Sequence, residues 1–266
     1  MEFNQWFDTW SQKAGLAGLT LPSNFYQPPA GLETMSVLSK TSLSHADGAF
    51  IIQLETGWRS RFKSGDLLAI YPANDHRERL YSIGRIDKEI QLSVKLHPDG
   101  LGSGFLYNLE PGTRLRARIV SNSHFHFPKK ASAVVMICNG TGIAPFLGMT
   151  DENNKKVDCH LYCGFRTAES FELYKPALKK HLDRQQLNGL HTAYSREGEK
   201  QYVKDLLARD AGFIAETLSN NGVLMLCGSL SMQKDVIELL DRICEQKTGK
   251  GISHFQSHGQ VLMDCY

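Results

Sequence analysis

A chain of 266 residues with 41% hydrophobic and 22% charged residues can bury one large core or two moderate ones. A formal charge of +2 creates no field strong enough to mark a nucleic-acid or membrane-surface binder. The cysteines at 138, 159, 163, 227, 244 and 265 show no CxxC or zinc-ligand spacing, and apolar runs such as AVVMIC at 133–138 are too short to cross a bilayer. With no charged and apolar leader in view, a cytoplasmic protein with reduced thiols is expected.

The first thirty-odd residues read as a weakly helical lead followed by an extended, proline-containing segment. From Met35 to about Val120, short β-branched or aromatic runs alternate with turn residues: FIIQLE, LLAIYP, LYSIGRI, IQLSVKL and RLRARIV. That texture predicts an antiparallel barrel or sandwich. After Phe127-Pro128-Lys129-Lys130 the texture changes, and apolar runs alternate with amphipathic segments: AVVMIC then PFLGM, CHLYCGF then FELYKPALKKHL, HTAYS then QYVKDLLARD, VLMLCG then MQKDVIELLDRIC. Strand and helix in alternation predict a doubly wound parallel sheet. The chain is therefore expected to form two domains, an antiparallel β-barrel over 1–130 and an α/β domain over 131–266.

In the second half, Asn139-Gly140-Thr141-Gly142-Ile143-Ala144-Pro145 follows a buried-type strand and opens a helix. Glycines permit close backbone approach, the helix start offers unpaired N–H groups to a pyrophosphate, and Pro145 fits the first turn. Taken alone, the segment is either an anion site or a turn that needs glycine only for its backbone angles. The next strands end in Gly164-Phe165-Arg166 and Ser195-Arg196-Glu197, at the end where open parallel sheets bind ligands. Ser195, Arg196, Lys200 and Tyr202 combine a hydroxyl, two cations and a ring, a set suited to a ribose 2′-phosphate beside adenine; the other reading is a solvated loop. Cys227-Gly228 closes the fourth strand, where a cysteine serves as a contact rather than a nucleophile. In the first half, Arg79 and Tyr81 share one strand face and Ser82 points oppositely, and Gly100-Leu101-Gly102-Ser103-Gly104 reads as a hairpin loop. The chain ends on GQVLMDCY, with Asp264 two positions before a terminal Tyr266.

Together these segments resemble the ferredoxin–NADP reductase superfamily, most nearly its cytochrome P450 reductase and sulfite reductase flavoprotein branch, over roughly residues 35–266. The resemblance implies FAD and NADP(H) as cofactors. It implies Arg79 at the FAD pyrophosphate, Tyr81 against a flavin face, Ser82 near the reactive nitrogen, and Gly100 and Ser103 near the FAD phosphates. It implies Gly140, Thr141, Gly142 and Pro145 at the NADP pyrophosphate, Ser195, Arg196, Lys200 and Tyr202 at the 2′-phosphate and adenine, and Arg166 and Cys227 as further NADP contacts. Tyr266 is implied to stack on the flavin and yield to nicotinamide, while Ser82, Cys227 and Asp264 assist hydride transfer. Phe165, Ser229 and Gly102 depart from residues common in the family.

The expected function is hydride transfer from NADPH to FAD N5, with electrons passing to an FMN domain, flavodoxin, ferredoxin or haem protein. The sequence carries no flavodoxin-like module ahead of the barrel, so either a compact stand-alone reductase or the reductase module of a larger parent, membrane-attached or not, is expected. Two other readings are a reductase of small diffusible acceptors, such as free flavin or ferric chelates, and a non-catalytic flavin-binding interaction module. His124, His126, His254 and His258 lack the carboxylate or cysteine spacing of a metal site, so no metal is expected.

Overall fold

The computed structural model describes residues 3–15, 29–44, 46–57, 60–72 and 77–266. Its contacts divide into a leading unit, Met1–Leu32, and a main unit, Glu33–Tyr266. In the leading unit, α1 (Phe3–Lys13) places Trp6 and Trp10 one turn apart, with ring centroids 6.2 Å from each other. The extended segment expected after it falls on 16–28, outside the described residues.

The main unit opens with β1 (Glu33–Lys40), β2 (Ala49–Glu55), β3 (Leu67–Ile70), β4 (Arg79–Ser82), β5 (Gly84–Ile86), β6 (Glu89–Lys95) and β7 (Arg114–Val120). They form one antiparallel sheet in the order β4-β3-β7-β1-β2-β6-β5. β4 and β5, at opposite ends of that order, are a single run of chain parted only by Ile83. The sheet therefore curls round until its edges meet, giving a nearly closed barrel with little exposed edge. Through the join, the Ile83 N–H donates to the Asp66 carbonyl at 2.8 Å and the Gly65 N–H to the Ile83 carbonyl at 2.9 Å. Period-two alternation fills the interior: Phe50, Ile52 and Leu54 of β2 meet Ile90, Leu92 and Val94 of β6. Burying each such side chain contributes about 1.5–3 kcal/mol.

Residues 100–106, expected as a hairpin loop, instead begin a helix, α2 (Leu101–Asn108). Glycines at 102 and 104 depress helix propensity, so local sequence conceals it. Tertiary packing supplies what propensity lacks, since Leu106 is buried in the barrel core and a Cβ on Gly102 would press on Tyr81 and Arg79.

The remaining chain alternates as expected: β8 (Ala133–Asn139), α3 (Ala144–Asp151), β9 (Asp158–Phe165), α4 (Ala168–Glu172), α5 (Lys175–Asp183), β10 (Gly189–Tyr194), α6 (Val203–Arg209), α7 (Ala211–Ser219), β11 (Val223–Gly228), α8 (Leu230–Thr248), α9 (Ile252–Ser257) and β12 (Val261–Cys265). The strands are parallel, in the order β10-β9-β8-β11-β12. Val134, Met136 and Cys138 of β8 enter one core and Val135 and Ile137 the other, so both faces of the strand are covered and it reads as a continuous apolar run. FELYKPALKKHL divides into α4 and α5 at Leu173–Tyr174, because Pro176 belongs to a first turn and cannot continue a preceding helix. Four strands were legible, and β12, drawn from the tail, is a fifth. Among the described residues, no helix is long and apolar enough to cross a membrane.

The barrel and the parallel sheet meet in backbone contact. A Cβ on Gly84 would overlap the Ala144 carbonyl, and one on Gly148 would overlap the Arg85 nitrogen and the Ser64 hydroxyl. Around this close approach, Arg85 pairs with Glu152 at 2.5 Å and the buried hydroxyls of Ser93 and Tyr174 lie 2.6 Å apart. These ties bring the β4 strand end of the barrel to the same region as the C-terminal ends of the parallel strands.

Candidate functional site

From β8 the chain runs to β9 and β10 on one side of the sheet and to β11 and β12 on the other, so the C-terminal ends of β8 and β11 flank a topological switch point. Open α/β sheets bind ligands in the crevice at such a point. Here Asn139, ending β8, clasps Ser229 beyond β11: its Nδ2 donates to Ser229 Oγ at 3.0 Å and its Oδ1 accepts the Ser229 N–H at 2.9 Å. The Gly140–Ile143 turn then passes so close to β11 that a Cβ on Gly142 would overlap the Cys227 carbonyl. Pro145 sits in the first turn of α3, as expected.

A cavity of about 620 Å³ opens above this turn. Of the expected residues, Gly140, Thr141, Arg166, Ser195, Tyr202 and Tyr266 line it. Arg196 and Lys200 are exposed on the neighbouring loop and do not line its wall. The loop is tied to the end of β9, with the Ser195 N–H donating to the Phe165 carbonyl at 3.0 Å and the Arg196 N–H to the Arg166 carbonyl at 2.9 Å. Sequence reading missed Lys95, which ends β6 and reaches the cavity from the barrel, and also Gln201 and Lys204. Burial holds the Lys95 ammonium below its usual range; the Arg166 and Arg196 charges act in the same direction, opposed by Asp47. The Arg166 and Arg196 charges that act on Lys95 gather positive charge at this end of the cavity, a setting suited to a phosphate. A lysine closing a strand was the only signal available for Lys95.

On the barrel side, Arg79 and Tyr81 share a face of β4 and lie against Gly102 at the start of α2. Burial pushes the Tyr81 phenol up to about 12, with Arg79 pulling it down. An aromatic ring, a guanidinium and a helix start approached through glycine fit a flavin dinucleotide, whose ring needs a stacking face and whose pyrophosphate needs donors. Ser103 turns inward: its hydroxyl accepts the His97 N–H at 3.1 Å and donates to the Gly100 carbonyl at 3.3 Å. Its side chain shapes the loop, leaving the backbone of the first helical turn to face an anion.

Between the two sides, β12 pairs with β11 in parallel, setting Cys227 opposite Asp264. Ser82 Oγ donates to Asp264 Oδ2 at 2.9 Å, joining residues 182 positions apart. Burial pushes the Asp264 carboxyl above its usual range, while Ser82, His124 and Asn122 pull it down. Cys227 is buried and its thiol is pushed far up by burial and then by the Asp264 charge, so it remains a neutral thiol and not a nucleophile. The chain end is held in the ladder: the Tyr266 N–H donates to the Gly228 carbonyl at 2.9 Å and the Leu230 N–H to the Tyr266 carbonyl at 3.2 Å. Tyr266 is 62% exposed and lines the cavity together with Thr141.

A nearly closed antiparallel barrel joined to a parallel sheet, with a phosphate-type cavity at the switch point and a Ser–Asp–Cys cluster beside it, defines a flavin and pyridine-nucleotide type of two-domain protein. Residues 136–238 match the family described as "Oxidoreductase NAD-binding domain". The chain is 31% identical over 180 residues to the sulfite reductase [NADPH] flavoprotein alpha-component of Shewanella oneidensis, covering 61% of this chain and 30% of that one. It is 33% identical over 188 residues to the same component from Aliivibrio fischeri, covering 63% of this chain and 31% of the other. The chain thus spans about a third of the length of the curated relatives it matches. A crystal structure of a mutant ferredoxin–NADP+ reductase from Plasmodium falciparum with 2′P-AMP shares the fold, with a TM-score of 0.73, 18% identity, and coverage of 88% of this chain and 96% of that one. Over its matched residues the chain is similar to sulfite reductase flavoproteins, and it shares the fold of ferredoxin–NADP+ reductase.

Proposed function

We propose that this chain is an NADPH-dependent FAD reductase module, divided at 130/131 into flavin-binding and nucleotide-binding domains, that delivers electrons to a protein acceptor such as an FMN domain, flavodoxin, ferredoxin or haem protein. FAD, when bound, supplies the chemistry of accepting a hydride and releasing electrons singly. The single observation that carries the reading is the Ser82–Asp264 hydrogen bond, which brings a barrel strand and the chain end together beside buried Cys227.

The chain's own residues bind and orient. Arg79 and the start of α2 hold the flavin pyrophosphate, and Tyr81 takes one face of the ring. The Gly140–Ile143 turn, Lys95 and Arg166 hold the nicotinamide dinucleotide's pyrophosphate. Ser195, Arg196, Lys200 and Tyr202 form the 2′-phosphate and adenine cup, with Arg196 and Lys200 closing over the ligand from the loop. Tyr266 caps the reacting region until nicotinamide replaces it, while Ser82, Cys227 and Asp264 line the transfer site with one carboxylate placed for the positive charge that develops on nicotinamide.

Anaerobic stopped-flow mixing of FAD-loaded protein with NADPH and with NADH tests the reading. Rapid bleaching of the flavin by NADPH, and much slower bleaching by NADH, is expected; no bleaching by either nucleotide would reduce the chain to a binding module. Arg196→Ala removes a charge-assisted phosphate contact, so KM for NADPH is expected to rise about tenfold or more with little change for NADH. Equal effects on the two coenzymes would remove the 2′-phosphate assignment. For Tyr266→Ser, nicotinamide no longer competes with a ring, and NADH is expected to bind about tenfold more tightly, with a weakened preference for NADPH. Titration with NADH and NADP+ checks this, and unchanged affinities would exclude a capping role.

A further inference from the structure

One buried polar group beside the site has no role in the function proposed above. Asn122 follows β7 and leads into the 3-10 turn Ser123–Phe125, which packs against β12. Its backbone is fixed from behind, the N–H donating to Asp66 Oδ1 at 2.8 Å. Asp66 is itself buried and held by His126 Nε2 at 2.7 Å and by the Lys63 N–H at 2.9 Å. Asn122 is only 5% exposed, and its side-chain Nδ2 is buried without a hydrogen bond. The turn that Asn122 leads into packs on the strand that carries Asp264, and Asn122 is among the groups that pull the Asp264 carboxyl down. An orphaned buried amide donor costs about 1–3 kcal/mol, so a fold that keeps one next to a carboxylate gains from their meeting.

We propose that Asn122 is a positioning residue for Asp264, its buried amide offering the carboxylate a second donor beside the Ser82 hydroxyl. The inference rests on the proposed role of Asp264 in the transfer site. A lone Ser82 contact leaves the carboxylate free to rotate about it, and a small shift that brings the Asn122 amide into hydrogen-bond range restricts it to one orientation. The other groups that face Asp264 are Cys227 from β11, His124 from the same turn, and Cys265 and Tyr266 on its own strand. Cys227 and Cys265 have thiols raised by burial and stay neutral near pH 7, leaving His124 as the competing source of a pH effect.

Titration of the full chain carrying 13C-labelled aspartate carboxyls, with Asp264 assigned through Asp264→Asn, tests the proposal without any turnover. In Asn122→Ala the Asp264 midpoint is expected to rise by about one pH unit, and to rise equally in a His124→Gln background. Asn122→Ser, which keeps a donor, is expected to recover part of the shift. Superimposable titrations, or a shift that vanishes in the His124→Gln background, would overturn it. In the FAD-loaded protein, the acid limb of NADPH-driven flavin bleaching is expected to move with the carboxyl midpoint, and Asn122→Ala is expected to add no loss to Asp264→Asn. An additive loss would assign Asn122 a merely structural part. If the parent protein is not bleached by NADPH, the functional reading fails while the carboxyl titration still decides the role of Asn122.

Discussion

Asp264→Ala is expected to leave FAD and NADP+ binding nearly intact and to slow flavin reduction by NADPH about 10²-fold or more, the scale seen when one preorganised charge or donor at a transition state is removed. The reasoning begins with position. β12 carries Asp264 opposite Cys227 on β11, and the Ser82 hydroxyl fixes its orientation at 2.9 Å. As hydride leaves, nicotinamide becomes cationic, and a carboxylate held in a desolvated place stabilises that charge more than it stabilises the neutral ground state. Burial has a second consequence, because it raises the carboxyl above its usual range. Only the ionised form helps, so the rate of flavin bleaching is expected to fall as pH drops through that raised value, and Asp264→Asn is expected to lose this limb. Single-turnover stopped-flow measurements across pH check both statements. An Asp264→Ala rate within a few-fold of the parent, or an acid limb that survives in Asp264→Asn, would show that the carboxylate is a structural partner of Ser82 and nothing more.

What could be read from the residues divides along physical lines. The barrel strands were legible because Phe50, Ile52 and Leu54 alternate with less buried neighbours, and β8 and β11 because strands covered on both faces are apolar throughout. α2 was not, since its glycines argue against a helix that only Arg79, Tyr81 and the barrel core explain. The nucleotide turn was legible as glycine spacing, but which contact requires each glycine was not. Lys95 and Asn122 were missed for a common reason: each lies at or just beyond the end of a barrel strand and acts on a different half of the chain, and local pattern carries no information about such contacts. The Ser82–Asp264 pairing entered only through resemblance to a known family, because nothing in the spacing of residues 182 apart announces a hydrogen bond.

Gly142→Val is expected to destabilise the protein and abolish nucleotide binding together, and the coupling of the two losses is the informative part. A Cβ at this position would overlap the Cys227 carbonyl oxygen and crowd the Gly228 Cα, and both obstacles are backbone in the middle of the parallel sheet. Flexible side chains can move aside, but a strand bonded to β8 and β12 cannot do so without losing its ladder. Overpacking of this kind costs about 1–3 kcal/mol or more, and at about 2–4 °C per kcal/mol for a domain of this size the melting temperature should fall by several degrees. The alternative to shifting β11 is to lift the Gly140–Ile143 turn, which takes the turn's N–H groups out of the cavity floor. Thermal unfolding with and without 2′,5′-ADP separates the consequences: a ligand at 100 times its Kd should stabilise the parent by about 2.7 kcal/mol and the variant hardly at all. Gly140→Ala is the matched control, because that glycine has a φ of 52° but open space around its Cα. There an added methyl costs only the left-handed backbone, about 1–2 kcal/mol, with ligand stabilisation retained. Equal loss of ligand response in both variants would mean that the turn tolerates no side chain anywhere, and that the close approach to Cys227 is not what shapes the site.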